Sequence, residues 1–233
     1  MRLTRSEPAG LEPAIAVRSY EPRDRAELRA ICHATSFMGE PADWYWRDRE
    51  SFADACTGYY TDEEPESSFV AVRDGRVVGY LTGCVDTTRA PSMAEVSSRL
   101  VLRRALLIRP GTAGFFWQAL FDALRDRGAP SGDLCDARWP SHLHINLLPE
   151  ARGSGAGASL MRSWLDRLAA LGSSGCHLGT FAENRNAIAF FERMGFRHYG
   201  PPTRVPGMRS RDGSRMHLQL MVRECRADRA GTG

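Results

Sequence analysis

The residues best suited to chemistry lie in one stretch of this 233-residue chain, 142–157. Its second half reads Arg152-Gly153-Ser154-Gly155-Ala156-Gly157, after Leu147-Leu148-Pro149 and before an amphipathic run. A glycine-rich turn between a strand and a helix N-terminus aims successive N–H groups at one point, with the helix dipole behind them, and so makes an anion site. Glycine lets a pyrophosphate approach the backbone closely, and Arg152 can add a charge-assisted bond. The alternative is that Gly153, Gly155 and Gly157 are turn residues only. The first half, His142-Leu143-His144-Ile145-Asn146, alternates His142, His144 and Asn146 onto one face of a strand. An imidazole with a pKa near ~6.5 suits a general base at neutral pH. The competing reading makes these polar residues hydrogen-bonded groups beneath a sheet. His177, on the neighbouring strand, is a candidate for the same cluster.

Two other phosphate-binding designs fail on detail. A P-loop ends in Gly-Lys-Ser/Thr, and all 31 basic residues here are arginine. A dinucleotide fold has its glycine turn early in a βαβ unit with an acid ~20 residues on, and here the turn comes late. Net charge is +3, too weak to imply nucleic-acid binding against 28 carboxylates. The arginine-rich stretch 204–215 lacks interleaved aromatics and reads as a hairpin loop. The six cysteines form no C-x-x-C or zinc spacing, no metal is expected, and no apolar run approaches the ~20 residues that span a bilayer. Residues 1–13 lack a signal-peptide core, so the expectation is a cytoplasmic protein with reduced thiols and no membrane partner. Other polar groups have bland readings beside functional ones. Asp133 and Asp136 are loop residues or cation ligands. Tyr59 and Tyr60 are core, or hydroxyls in a cleft. Trp44, Tyr45 and Trp46 read as core or a lid, and Glu63, Glu64 and Glu66 as a solvated turn.

The elements that position these residues follow from periodicity and punctuation. The chain is long enough to bury a full core, and 42% of it is apolar. Residues 1–13 read as a disordered lead, 14–224 as one domain and 225–233 as a tail. Within the domain the pattern predicts a strand at 15–20, helices at 24–34 and 41–60, and a hairpin around Asp74-Gly75. Gly79 and Gly83 in its second strand suggest bulges or close packing. Two helices follow in 91–127. Then come a strand at 142–148, a helix at 157–171, a strand at 176–181, a helix at 184–194, and strands at 196–201 and 215–222. Strands from the start, middle and end of the chain imply a single mixed α/β (α+β) sheet with helices on its faces.

Two motifs together resemble a known superfamily. Arg152 to Gly157 is similar to the Gln/Arg-x-x-Gly-x-Gly/Ala signature of the GNAT acetyltransferases. Asn184-Arg185-Asn186-Ala187-Ile188-Ala189-Phe190-Phe191-Glu192-Arg193-Met194-Gly195-Phe196 resembles that family's "N-x-x-A-x-x-F-Y-E-x-x-G-F" helix. The likeness is strongest over 141–200 and does not cover 91–135, a helical insertion where the family has a short connection.

The resemblance implies a mostly antiparallel sheet splayed between its central strands. It implies an N-acetyltransferase that moves an acetyl group from acetyl-CoA to a small-molecule or protein amine by direct attack in a ternary complex, as a monomer or homodimer. The implied cofactor contacts are Asn146, Leu147 and Leu148, the loop Arg152, Gly153, Ser154, Gly155, Ala156 and Gly157, and Asn184, Phe190 and Phe191. His142, His144 and Asn146 are the candidate catalytic residues. Arg204, Arg209 and Arg211 are candidate contacts for an acceptor carboxylate. The chain departs from the family pattern where Phe191 replaces the usual Tyr acid and Gly179-Thr180 replaces a Glu base. Without that acid the second implied reading is an acetyl-CoA-binding sensor or interaction module. The histidines, the insertion and Tyr59-Tyr60 also look similar to bacterial proteins related to the acetyltransferase-like C-terminal domain of O-GlcNAcase.

Overall fold

The structure is a computed structural model that describes residues 15–125 and 134–225. The expected lead 1–13, Asp133 and tail residues 226–233 lie outside these residues. Seven strands form one sheet in the order β1-β2-β3-β4-β5-β7-β6. They are β1 Ala16–Ser19, β2 Ser68–Arg73, β3 Arg76–Cys84, β4 Ser141–Leu147, β5 Gly175–Phe181, β6 Arg197–Arg209 and β7 Arg215–Glu224. All neighbours are antiparallel except β4 and β5. The helices are α1 Arg25–Thr35, α2 Arg49–Asp62, α3 Met93–Arg104, α4 Ala113–Arg125, α5 Ala156–Ala170 and α6 Arg185–Arg193.

The feature that makes a site is the β4–β5 pair. These strands register only at Ser141↔Cys176 and His142↔His177. Beyond that point β4 follows β3 through Leu147, while β5 stays with β7 through Phe181. Each strand keeps a full ladder on its outer side, so the two halves of the twisted sheet part without orphaning their outer hydrogen bonds. Leu148 N–H bonds Val78 O at 2.9 Å, so alternation turns the N–H and C=O groups of Leu143, Ile145 and Leu147 toward the gap.

Helices cover both faces. The α5 stripe Leu160, Met161, Trp164 and Leu168 is fully buried against Leu81, Leu143 and Leu178. Trp164 occupies the space a side chain at Gly83 would need: a Cβ there would lie 2.3 Å from its Cζ3. Gly79 is equally close to Leu147, so both glycines serve close packing, and the irregularity in this hairpin sits at Ala71/Val72 instead. On the other face α1 and α2 pack Leu28, Ile31 and Phe52 onto Val70 and Tyr80.

Three expectations change. The helix predicted at 41–60 begins only at Arg49, where Asp48 caps Ser51 N–H at 3.2 Å. The aromatics before it turn inward: Trp46 is buried and Trp44 and Tyr45 pack on Phe37. Stretch 204–215 is mostly strand, with β6 running to Arg209 before a tight turn. Glu64 is not a solvated turn residue. It is buried and accepts from Ser67 Oγ at 2.6 Å and Val85 N–H at 2.9 Å. One carboxylate ties the insertion to the last two strands: Asp122 on α4 accepts from Gly207 N–H at 2.9 Å and pairs with Arg209 at 2.7 Å and Arg215 at 3.3 Å. Among the described residues no helix is long and apolar enough to cross a membrane.

Candidate active site

The glycine loop leaves β4 through a short turn, Pro149–Ala151, and delivers the chain to α5. Gly153 and Gly155 have φ of 76° and 85°, left-handed values that strain any L side chain. A Cβ at either would meet nothing within 4 Å, so the outer side of the loop is open, and the first N–H groups of α5 face it without intrahelical partners. Gly157 has a different role. A Cβ there would sit 3.2 Å from Leu147 and 3.4 Å from Phe190, so the glycine brings α5 close to both. Arg152 is exposed and bridges two carbonyls, Gly39 O at 2.8 Å and Leu147 O at 3.2 Å.

This loop is one wall of a cavity of about 910 Å³ that passes through the sheet at the β4–β5 gap. Asn146, Leu147, Arg152, Gly153, Gly155, Gly157, Asn184, Phe190 and Phe191 line it, as the sequence grouped them. Leu148, Ser154 and Ala156 do not. Leu148 packs toward α1 and α2, Ala156 is buried in the core at the start of α5, and the Ser154 hydroxyl donates to Ala151 O at 2.7 Å. Asn184 also caps α6, accepting from Ala187 N–H at 3.1 Å. Phe191 is buried against Phe190 and Phe196, with no hydroxyl to offer.

A second cavity of about 960 Å³ opens between α2 and α3 and meets the first at the gap. Leu143, His144, Leu178, Gly179 and Cys56 line both. At the junction a chain of hydrogen bonds fixes the imidazoles. The Thr87 hydroxyl donates to Pro140 O at 2.7 Å, so it receives the Nδ1–H of His142 at 2.8 Å. His142 Nε2 therefore accepts from Tyr60 Oη at 2.8 Å, and the Tyr60 oxygen receives Nε2–H of His144 at 2.9 Å. Nδ1 of His144 is left as a lone pair with no protein partner among the described residues.

The protein packed around them disfavours the charged form of both imidazoles and holds His142 well below its ordinary range and His144, although exposed on its cavity side, at about 4, with the neighbouring imidazoles adding to the effect. His142 is thus a link in the chain rather than an available base, because both ring nitrogens are engaged. His177 is buried with Nδ1 on Trp139 O at 2.9 Å. Asn146 contributes its side chain, donating to Thr35 Oγ1 at 2.7 Å, while its backbone faces β3.

Other candidates are already committed. Asp136 pairs with Arg138 at 2.7 Å, which holds its carboxyl down at about 2. Arg209 belongs to Asp122, Arg211 pairs with Glu40 at 3.0 Å, and Arg204 is not free either. The sequence offers Tyr60 as core or as a hydroxyl in the cleft, and it gives no sign of Thr35 or Thr87. No local signal marks a threonine as a partner across the sheet.

The acetyltransferase (GNAT) family model matches residues 38–196. The solved structure of SsHAT superposes with a TM-score of 0.68 at 28% identity, over 92% of this chain and 100% of that one. The fold is shared with yncA from Salmonella typhimurium, solved with its cofactor acetyl-CoA (TM-score 0.56, 17% identity, 94% of this chain and 98% of that one). It is shared too with the ribosomal-protein-S18-alanine N-acetyltransferase of Escherichia coli (TM-score 0.52, 16% identity, 94% and 99%). With a splayed seven-stranded sheet, a glycine loop at its mouth and a family match over well more than half its length, the chain belongs to the acetyltransferase (GNAT) family.

Proposed function

We propose that this protein transfers the acetyl group of acetyl-CoA to a primary amine by direct attack within a ternary complex. One observation carries the reading: two cavities of substrate size reach the same gap from different sides and share His144 there. The residues fit the donor. The open outer side of Gly153 and Gly155 and the N-terminus of α5 suit a pyrophosphate. The gap-facing N–H and C=O of Ile145 and the N–H of Leu147 suit an arm lying in the gap like an added strand. When bound, acetyl-CoA would supply an activated acyl carbon.

The chain's own residues then do three things. Gap-facing N–H groups of β4 stabilise charge on the carbonyl oxygen. His144, neutral at physiological pH, accepts the amine proton at Nδ1 as the C–N bond forms. Tyr60 and His142 hold its ring in that tautomer, with Thr87 anchoring the far end. The departing thiolate needs little help, since a thiol's pKa is near ~8.5, and this suits a site with Phe191 where relatives carry Tyr. The paired histidines, the insertion and Tyr59-Tyr60 are what support the narrower proposal of kinship with the bacterial relatives of the O-GlcNAcase C-terminal domain.

The test is thiol release from acetyl-CoA with a panel of primary amines. Amine-dependent release that is lost in His144→Asn is the expected result. The absence of a Tyr at 191 favours a second reading, a binding module. Tight acetyl-CoA binding with no amine turned over would establish it.

A further inference from the structure

The charged residues lining the cavity between α2 and α3 fall into two sets. The acids are mostly spoken for. Asp54 is paired with Arg29 at 2.8 Å and Arg104 at 3.0 Å, and Asp62 with Arg25. Glu95 closes the N-terminus of α3, accepting from Ser92 N–H at 2.8 Å and Ser92 Oγ at 2.9 Å. The bases are not. Arg89, on the turn before α3, and Arg99 and Arg103, on α3 itself, all line this cavity. None has a carboxylate within ion-pair distance among the described residues. Asp86 is near Arg89 and Glu95 near Arg99, but each carboxylate already accepts hydrogen bonds from Thr88 or Ser92. Arg99 and Arg103 are four residues apart on one helix face, a spacing at which like charges repel. Packing gives no reason for this arrangement, since both side chains are exposed, and an anion between them would relieve it.

The same cavity reaches from these arginines to His144. Resting on the acetyl-transfer reading above, the geometry points to an acceptor that is a small primary amine bearing a carboxylate or phosphate. Arg89, Arg99 and Arg103 hold the anionic end, and the amine is presented to His144. Guanidinium groups suit this role because their forked donors match either oxyanion bidentately. Glu63, a lining acid with neither an ion pair nor a capping hydrogen bond on its carboxylate among the described residues, receives the ammonium end before it loses its proton. A cavity of about 960 Å³ is of small-molecule size.

The experiment compares matched amines that differ in the anion: β-alanine against β-alaninamide for a carboxylate, and O-phosphoethanolamine against ethanolamine for a phosphate. At least one anionic member should exceed its neutral twin by about tenfold in kcat/KM, the scale of one or two charge-assisted bonds. In the Arg99→Gln/Arg103→Gln double variant the twins should fall within about twofold of each other, through a higher KM for the anionic one. Both positions are exposed, and an unchanged Tm controls for folding. Neutral twins that serve as well as anionic ones, or a preference that survives the double variant, overturn the inference while leaving acetyl transfer intact. If no amine is turned over, the transfer reading fails separately, and calorimetry of O-phosphoethanolamine and of β-alanine with the CoA-bound protein decides the anion site. Binding lost in the double variant supports it, and no binding of either compound refutes it.

Discussion

A histidine that is neutral across the physiological range keeps its lone pair available at any neutral pH, and His144 is held so by surroundings that disfavour its charged form, which also makes it a weaker base than a free imidazole. Replacing it with Asn, of similar reach, should lower kcat/KM by about 10²-fold with acetyl-CoA affinity unchanged, the usual scale for one general base. Tyr60 acts through His144 and His142. Tyr60→Phe should therefore lower kcat by about tenfold with KM little altered, and calorimetry should show a stability loss of about 1–3 kcal/mol from the two imidazole nitrogens left unpaired. The same groups set a pH dependence of folding. In the unfolded chain both histidines take up a proton near ~6.5, whereas in the fold His144 does so only at about 4 and His142 lower than its ordinary range. Between those values the unfolded state binds more protons, so stability is full above the ordinary imidazole range and falls as the pH drops toward 4. Urea midpoints at pH 7 and pH 5 measure this. His144→Asn should narrow the difference between them, and equal midpoints in the unmodified protein would refute the assignment.

At the scale of elements, the site depends on two close approaches. Helix α5 can lie on the sheet only because β3 carries Gly83 beneath Trp164. Gly83→Ala forces a ring at 2.3 Å to move and should destabilise by about 2 kcal/mol, as overpacking of a full core does. Helix α4 depends on a charge. Asp122→Ala strands Arg209, which is mostly buried, and frees the backbone N–H of Gly207, so a loss of about 3 kcal/mol is expected in chemical denaturation. That variant removes the ionic tie between α4 and β6 without touching the gap. Acetyl-CoA binding should survive in whatever fraction stays folded.

At the scale of the whole molecule, the decisive fact is that two cavities share one set of junction residues. On the proposed reading donor and acceptor enter by separate mouths and need not displace each other. Initial-velocity plots should therefore intersect, as a ternary complex requires. Parallel lines would indicate a covalent acetyl-enzyme and would shift attention to Cys56, which lines both cavities.

Local pattern alone determined much of this protein. The glycines at 153, 155 and 157, the Asn184 to Phe196 helix and the strand–turn–helix run were legible because a left-handed turn, a helix cap and an amphipathic face are written in adjacent residues. The family and the loop at its mouth follow from them. Three things were decided only by tertiary structure. Which histidine is free depends on Thr87 and Tyr60, 55 and 82 residues away from His142 in the chain. Whether Glu64 or Asp122 is solvated depends on backbone N–H groups donated by other elements. The arginines of the insertion acquired meaning only when α3 was seen to wall a cavity that ends at His144. The physical reason is common to all three. A side chain's protonation, burial and partners are set by whatever the fold packs against it, and sequence spacing carries no record of contacts made across a sheet.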